Sequence, residues 1–320
     1  MRKYILTTIP ILISITSFTQ IKIEKYYDAK WKECKPEDNP IFYSVVERKD
    51  SLWHRMDYFI QQRALQMDGY YKDSLEKIKH GTFRYFYANG NMESEEIYFN
   101  NLQEGILTSY HPNGMMRDSI NYRNGIMIGA NASWDADGNI RSQTTLDSNG
   151  LGNGVKLIFN ENDSISVKGR YAGMKRNGIW NFYHHNGKKS ADVIYKMDSI
   201  ISYKCYNEDG NEQVNCSLKA KPVEFPGGSQ KLKEYWNKRV YFPSHLQFTN
   251  GKRGLVVVEF TIDITGKVSD IIVLQSLHRD FDNIAVKAIK NMPIWSPAIQ
   301  FNRKVSYRAR QSFTFNQEVE

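Results

Sequence analysis

Between about residues 80 and 215 the chain runs in short stretches where large apolar and polar residues alternate, each closed by a tight-turn signature. The signature returns about every 24 residues, as Asn89-Gly90, Asn113-Gly114, Asp137-Gly138, Asn186-Gly187 and Asp209-Gly210, with Asn162-Asp163 in the slot that lacks Gly. Asn-Gly or Asp-Gly between alternating runs predicts a β-hairpin with a type I′ turn, which needs positive φ at both central residues. Four residues before the turn Gly position stand Phe86, Tyr110, Trp134, Phe159, Tyr183 and Tyr206, all aromatic. Eight residues after it stand Tyr98, Tyr122, Leu146, Tyr171, Tyr195 and Leu218, and nine before it stand Gly81, Gly105, Gly129, Gly154 and Gly178. The even offset between the two large positions predicts that both lie on one face of the strands. Each unit therefore reads strand, tight turn, strand, loop. One unit cannot bury its face alone, whereas stacked units bury a continuous aromatic row. Sheet packing accounts for that row; an exposed aromatic strip that binds glycan or lipid is the alternative.

Asp57-Tyr58-Phe59 and Gly69-Tyr70-Tyr71 suggest an earlier, degenerate unit. Tyr26-Tyr27, Trp31, Tyr43 and Trp53 suggest more strand, with Ser44–Arg55 open between strand and short helix. The pattern changes at Lys219-Ala220-Lys221-Pro222. Phe225-Pro226-Gly227-Gly228 forms a turn, and Ser229 is placed to cap a helix over about Gln230–Val240. Phe242-Pro243 opens a second short helix near Ser244–Phe248. Leu255–Ile262 and Val268–Gln275 read as strands joined by the turn Asp263–Gly266. Ile284, Ala285, Ala288 and Ile289 share one face of a helix over Asp282–Met292, which Pro293 ends. Val305–Phe315 is a last strand, so the expected order is α-α-β-β-α-β. The fold class is thus a mainly β repeat array of stacked hairpins followed by a small α+β domain. Its segments are 1–19 (signal peptide), 20–79, 80–218 (repeats) and 222–317.

The chain has 320 residues, enough for two modest domains, and 20 Tyr and 16 Phe with only nine Pro argue for strands rather than disorder. The net charge of +8 permits weak attraction to anionic surfaces, but no basic cluster is dense enough for nucleic acid. Arg2 and Lys3 precede the apolar stretch Tyr4–Phe18, and polar Thr19-Gln20 follow. This reads as a cleaved export signal that sends the chain to the periplasm or cell envelope; a short uncleaved inner-membrane anchor is the alternative. Export permits a disulfide, and Cys205 and Cys216 flank a turn, although two free thiols remain open; Cys34 stands alone.

Gly178-Ile179-Trp180-Asn181-Phe182-Tyr183-His184-His185-Asn186-Gly187 resembles a MORN-type repeat, and more closely a YwqK-type repeat, over about 80–215. That resemblance implies architecture, together with membrane or protein contacts, here a weak membrane-surface or glycan contact through the repeats. The C-terminal segment, over about 222–317, is similar to a TonB C-terminal domain in the form common in Bacteroidetes. Pro226-Gly227-Gly228, Phe242-Pro243, Gly254–Phe260, Gly266-Lys267-Val268, Ala285–Ile289, Met292–Pro297 and Phe313-Thr314-Phe315 carry the likeness. Phe242, Ala298 and Phe281 depart from the family's usual Tyr, Gly and Leu. The resemblance implies that an extended peptide of an outer-membrane or envelope partner, of the kind a TonB-dependent transporter offers, adds to the edge strand. Its residues here are Val305, Tyr307, Arg308, Arg310 and Phe313. Arg308 and Arg310 face one side, either to contact the incoming strand or as solvated edge charges, and Trp295 belongs to the core.

No catalytic motif is present: there is no His-Glu-x-x-His, Gly-x-Ser-x-Gly or Cys-x-x-Cys. As neighbours on a strand, His184 and His185 point to opposite faces and share no metal. Gly150–Gly154 reads as a loop between repeats, because no helix follows it to hold a phosphate. The expected protein is non-enzymatic, without cofactor or metal. A membrane-anchored energy transducer is the first alternative. It would need a Pro-rich linker, and a stacked array stands in that place. A structural or adhesive surface protein is the second.

Overall fold

A computed structural model describes residues 22–38, 40–214, 216–247 and 253–317. The export-signal segment, and Phe248 of the expected second helix, lie outside the described residues. Residues 22–213 supply the 18 strands of one antiparallel sheet. It meanders: Lys22–Tyr27 pairs Phe42–Lys49, then come Leu52–Phe59, Ala64–Tyr71 and Gly81–Phe86, and so on to Ser199–Tyr206. The strands between Lys22 and Tyr71 therefore belong to the same sheet, and the open stretch Ser44–Arg55 is two strands joined by a turn at Asp50-Ser51.

The turns differ from the expected type. Gly90, Gly114, Gly138, Gly187 and Gly210 adopt positive φ, but the Asn or Asp before each does not. Gly90 N–H donates to Tyr87 O, and Tyr87 N–H to Asn91 O, so the loop is a wider one with a single left-handed residue at Gly. Asp163 takes that position where Gly is missing, at φ 59°. The two-residue turns with both φ positive lie at the opposite edge, at Asn100-Asn101, Asn124-Gly125, Gly173-Met174 and Met197-Asp198, where the sequence suggested only loops.

A second correction concerns the aromatic row. The pairing slips beside five of the turns, at Tyr85/Phe86, Met116/Asp118, Ser133/Trp134, Ile158/Phe159 and Phe182/Tyr183. Such a bulge resets the alternation of faces. At Ser109 and Phe182 the residue five before the turn is therefore the buried one, while Tyr110 and Tyr183 are half-buried. The core of the last repeats joins Val167, Trp180, Phe182, Ala191, Val193 and Tyr195.

The C-terminal unit has a three-stranded antiparallel sheet in the order Val268–Gln275, Arg253–Ile262, Tyr307–Asn316. Helices α1 (Gly228–Arg239) and α2 (Arg279–Lys290) cover one face. α1 begins after Gly227, which adopts positive φ and gives no side-chain cap, rather than at Ser229. The described part of the expected second helix, 244–247, forms a turn. Tyr235 Oη donates to Ala288 O at 2.8 Å and ties the helices together. Trp295 is buried, edge-on to Phe225, and its backbone N–H donates to Gly266 O. A Cβ on Gly266 would lie 1.9 Å from Trp295 O, so glycine is required at that turn. A short hairpin, Ala298–Gln300 with Arg303–Val305, precedes the final strand.

Candidate binding edge and its setting

Tyr307–Asn316 pairs along its whole length with Arg253–Ile262. On its other side it makes no backbone–backbone hydrogen bond with any described residue. An edge of this kind offers alternating N–H and C=O groups to an extended chain.

Among the residues expected on this edge, Tyr307, Arg308 and Arg310 lie along it and are exposed. Val305 does not: it ends the preceding hairpin opposite Ala298, because the chain leaves one strand and starts another at Ser306. Phe313 is on the strand, but its ring is buried in the core with Phe315 and Phe281. Arg308 and Arg310 share a face, as the two-residue period requires. Both reach the carboxylate of Glu259 on the neighbouring strand, at 3.6 and 3.3 Å. That carboxylate is largely shielded, so it draws the two guanidinium groups over the sheet face rather than out along the edge.

The sequence did not signal that this face looks toward the repeats. Burial pushes the Glu93 carboxyl up from its ordinary range, while Arg117 and Arg310 pull it down. Burial likewise raises the Tyr87 hydroxyl to about 12, with Arg117 opposing. Further contacts join the two units at either end. Gln61 Nε2 donates to Leu277 O at 2.8 Å, and Gln62 Nε2 donates to Ser276 O. Ser306 Oγ donates to Glu161 at 2.9 Å.

The repeats themselves are linked from turn to turn. Asn89, Asn113, Asn162 and Asn186 each donate through Nδ2 to a carbonyl of the next turn, at 3.0, 2.7, 3.3 and 2.8 Å. Tyr87, His111 and His184 make a second such ladder to Tyr110 O, Trp134 O and Tyr206 O. His184 is thus buried and committed to the backbone, and no group of three or more His, Cys, Asp or Glu among the described residues is placed to hold a metal. Sulfur atoms of Cys205 and Cys216 are bonded, and Cys34 is a free thiol. At the opposite edge, large aliphatic residues recur unburied at Ile78, Leu102, Ile126, Leu151, Met174 and Met197. Their spacing near 24 was visible in the sequence, but the aromatic positions masked it.

Residues 240–317 match the family model of the Gram-negative bacterial TonB protein C-terminal. Over this stretch the C-terminal unit is similar to a TonB C-terminal domain. Residues 79–101 and 103–124 match the MORN repeat variant. No curated protein matches the chain. Both matched families are binding or structural domains rather than enzymes, and the TonB C-terminal domain belongs to the Gram-negative envelope. No helix among the described residues is long and apolar enough to cross a membrane.

Proposed function

We propose that the protein is a non-enzymatic, periplasmic binding module. Its TonB C-terminal domain captures an extended peptide of an outer-membrane or other envelope protein by strand addition. The observation that carries this reading is the outer side of Tyr307–Asn316, which has no backbone partner among the described residues. A peptide strand satisfies those groups, and alternate side chains give the selectivity. The test is capture of outer-membrane proteins from an envelope extract by the full mature chain. Gln311→Pro and Ser312→Pro are the diagnostic variants. Successive N–H groups point to opposite sides of a strand, so one proline removes an outward donor and the other breaks the internal ladder. Loss of capture in the outward variant, with folding retained, is the expected result. Equal capture by the wild type and both variants would sink the reading.

The aliphatic row favours a second reading, in which the repeats rest on a lipid surface. Co-sedimentation with vesicles of anionic lipid, lost in Leu102→Ser/Leu151→Ser, would support it. Wild-type protein left in the supernatant would exclude it.

A further inference from the structure

The hairpin Ala298–Val305 turns through Phe301 and Asn302, both left-handed, at φ 50° and 59°. Asn suits such a position; a bulky aromatic residue there is strained, and strain of this kind persists only where the surroundings compensate for it. Here the Phe301 ring stacks on Phe182 of the array, with centroids 3.8 Å apart and planes 16° from parallel. Asn302 Nδ2 donates to Tyr206 O at 2.9 Å and to Gln213 Oε1 at 2.7 Å. Tyr206 O is the carbonyl at which the His184 ladder ends, so the hairpin tip occupies the last rung of the repeats. Arg303 opposes this closure. It is 8% exposed, donates to Ser166 Oγ, lies at the outer limit of a cation–π contact 6.0 Å from the Phe182 centroid, leaves Nε without a partner, and has no carboxylate paired with it among the described residues. Burial alone pushes its guanidinium down to about 10. A buried cation without a counter-ion destabilises the contact that buries it.

We propose that Ala298–Val305 is a releasable latch, and that the repeat array is a dock for this chain's own TonB C-terminal domain. The aromatic stack and the amide bonds hold it shut, and Arg303, buried without a counter-ion, keeps it close to opening. Through Ser306 and its bond to Glu161, the latch runs straight into Tyr307–Asn316. Closure therefore fixes the start of the edge strand against the array. The inference stands apart from peptide capture, because it concerns a contact within one chain.

Hydrogen exchange of the full mature protein reads the latch around Ser166 and Tyr206, which the hairpin tip contacts. Phe301→Asn keeps a turn-compatible residue and removes the ring. It should speed exchange there about tenfold, the scale of one lost aromatic stack, with protection in α2 unchanged. Asn302→Gly also suits the turn and removes both amide bonds; it should act in the same direction and replaces Phe301→Asn should that variant fail to fold. Arg303→Met removes the buried charge, so exchange should slow below the wild-type rate. Unchanged exchange in the folded turn variants, or opening by Arg303→Met to the same extent, would overturn the proposal.

Discussion

Single residues set the repeat through contacts that the turn alone does not demand. Gly169 lies beneath Trp180, where a Cβ would come 2.0 Å from the indole ring. Gly169→Ala should lower stability by about 2–3 kcal/mol through overpacking, seen as a lower denaturation midpoint at unchanged slope. Asn113 has two tasks: Oδ1 accepts from Met115 N–H, and Nδ2 donates to Ala136 O of the next turn. Asn113→Asp keeps the first and loses the second. It should cost about 1 kcal/mol in urea denaturation, and Asn113→Ala somewhat more. The preference for Asn at this position was legible in the sequence, but its reason was not. The residue has ordinary φ, and the neighbour it bonds is 23 positions away.

At the scale of the element, the hairpin turns are held by carboxylates that bind backbone N–H groups. Burial by itself would raise the carboxyls of Asp135 and Asp263. Hydrogen bonds from Asn139 and from the Asp137 N–H, with the charge of Arg141, hold Asp135 below its ordinary range. The Thr265 hydroxyl and the N–H groups of Thr265 and Lys267 do the same for Asp263. Both folded values lie below the unfolded ones, so the stabilisation is complete above the ordinary carboxylate range near ~4 and is lost as pH falls through the folded values. Asp57 and Glu93, both raised by burial, act in the opposite sense. Thermal melts should hold steady near neutrality and fall below about pH 4, and Asp263→Asn should flatten that fall. Turn type was the least legible part of each element. Asn-Gly is compatible with both the two-residue turn and the wider one, and the bulge that chooses between them depends on how the next strand pairs.

For the whole molecule, the bond between Cys205 and Cys216 closes the end of the array over a sequence separation of 11. Cys205 is fully buried, and the latch bonds the adjacent Tyr206 carbonyl. Replacing both cysteines with serine, or reducing the bond, should lower stability by about 2–3 kcal/mol, as expected for a loop of this length. Calorimetry with and without reductant checks it. If the latch couples the two units, the same change should also speed exchange at residues 301–306.

Local sequence specified the periodic hairpins, the change of architecture near residue 220, and the helices and strands of the C-terminal unit. Each is written in local alternation, turn residues and helical spacing, which act over a few neighbours. Three outcomes depended on tertiary structure. The bulge at Phe182/Tyr183 moved burial from Tyr183 to Phe182. The chain break at Ser306 took Val305 off the edge strand. The contact of Phe301 with Phe182 made the array a dock. The first two depend on how neighbouring strands pair and the third joins rings more than a hundred positions apart, and no local pattern encodes which backbone or ring will be there to meet them.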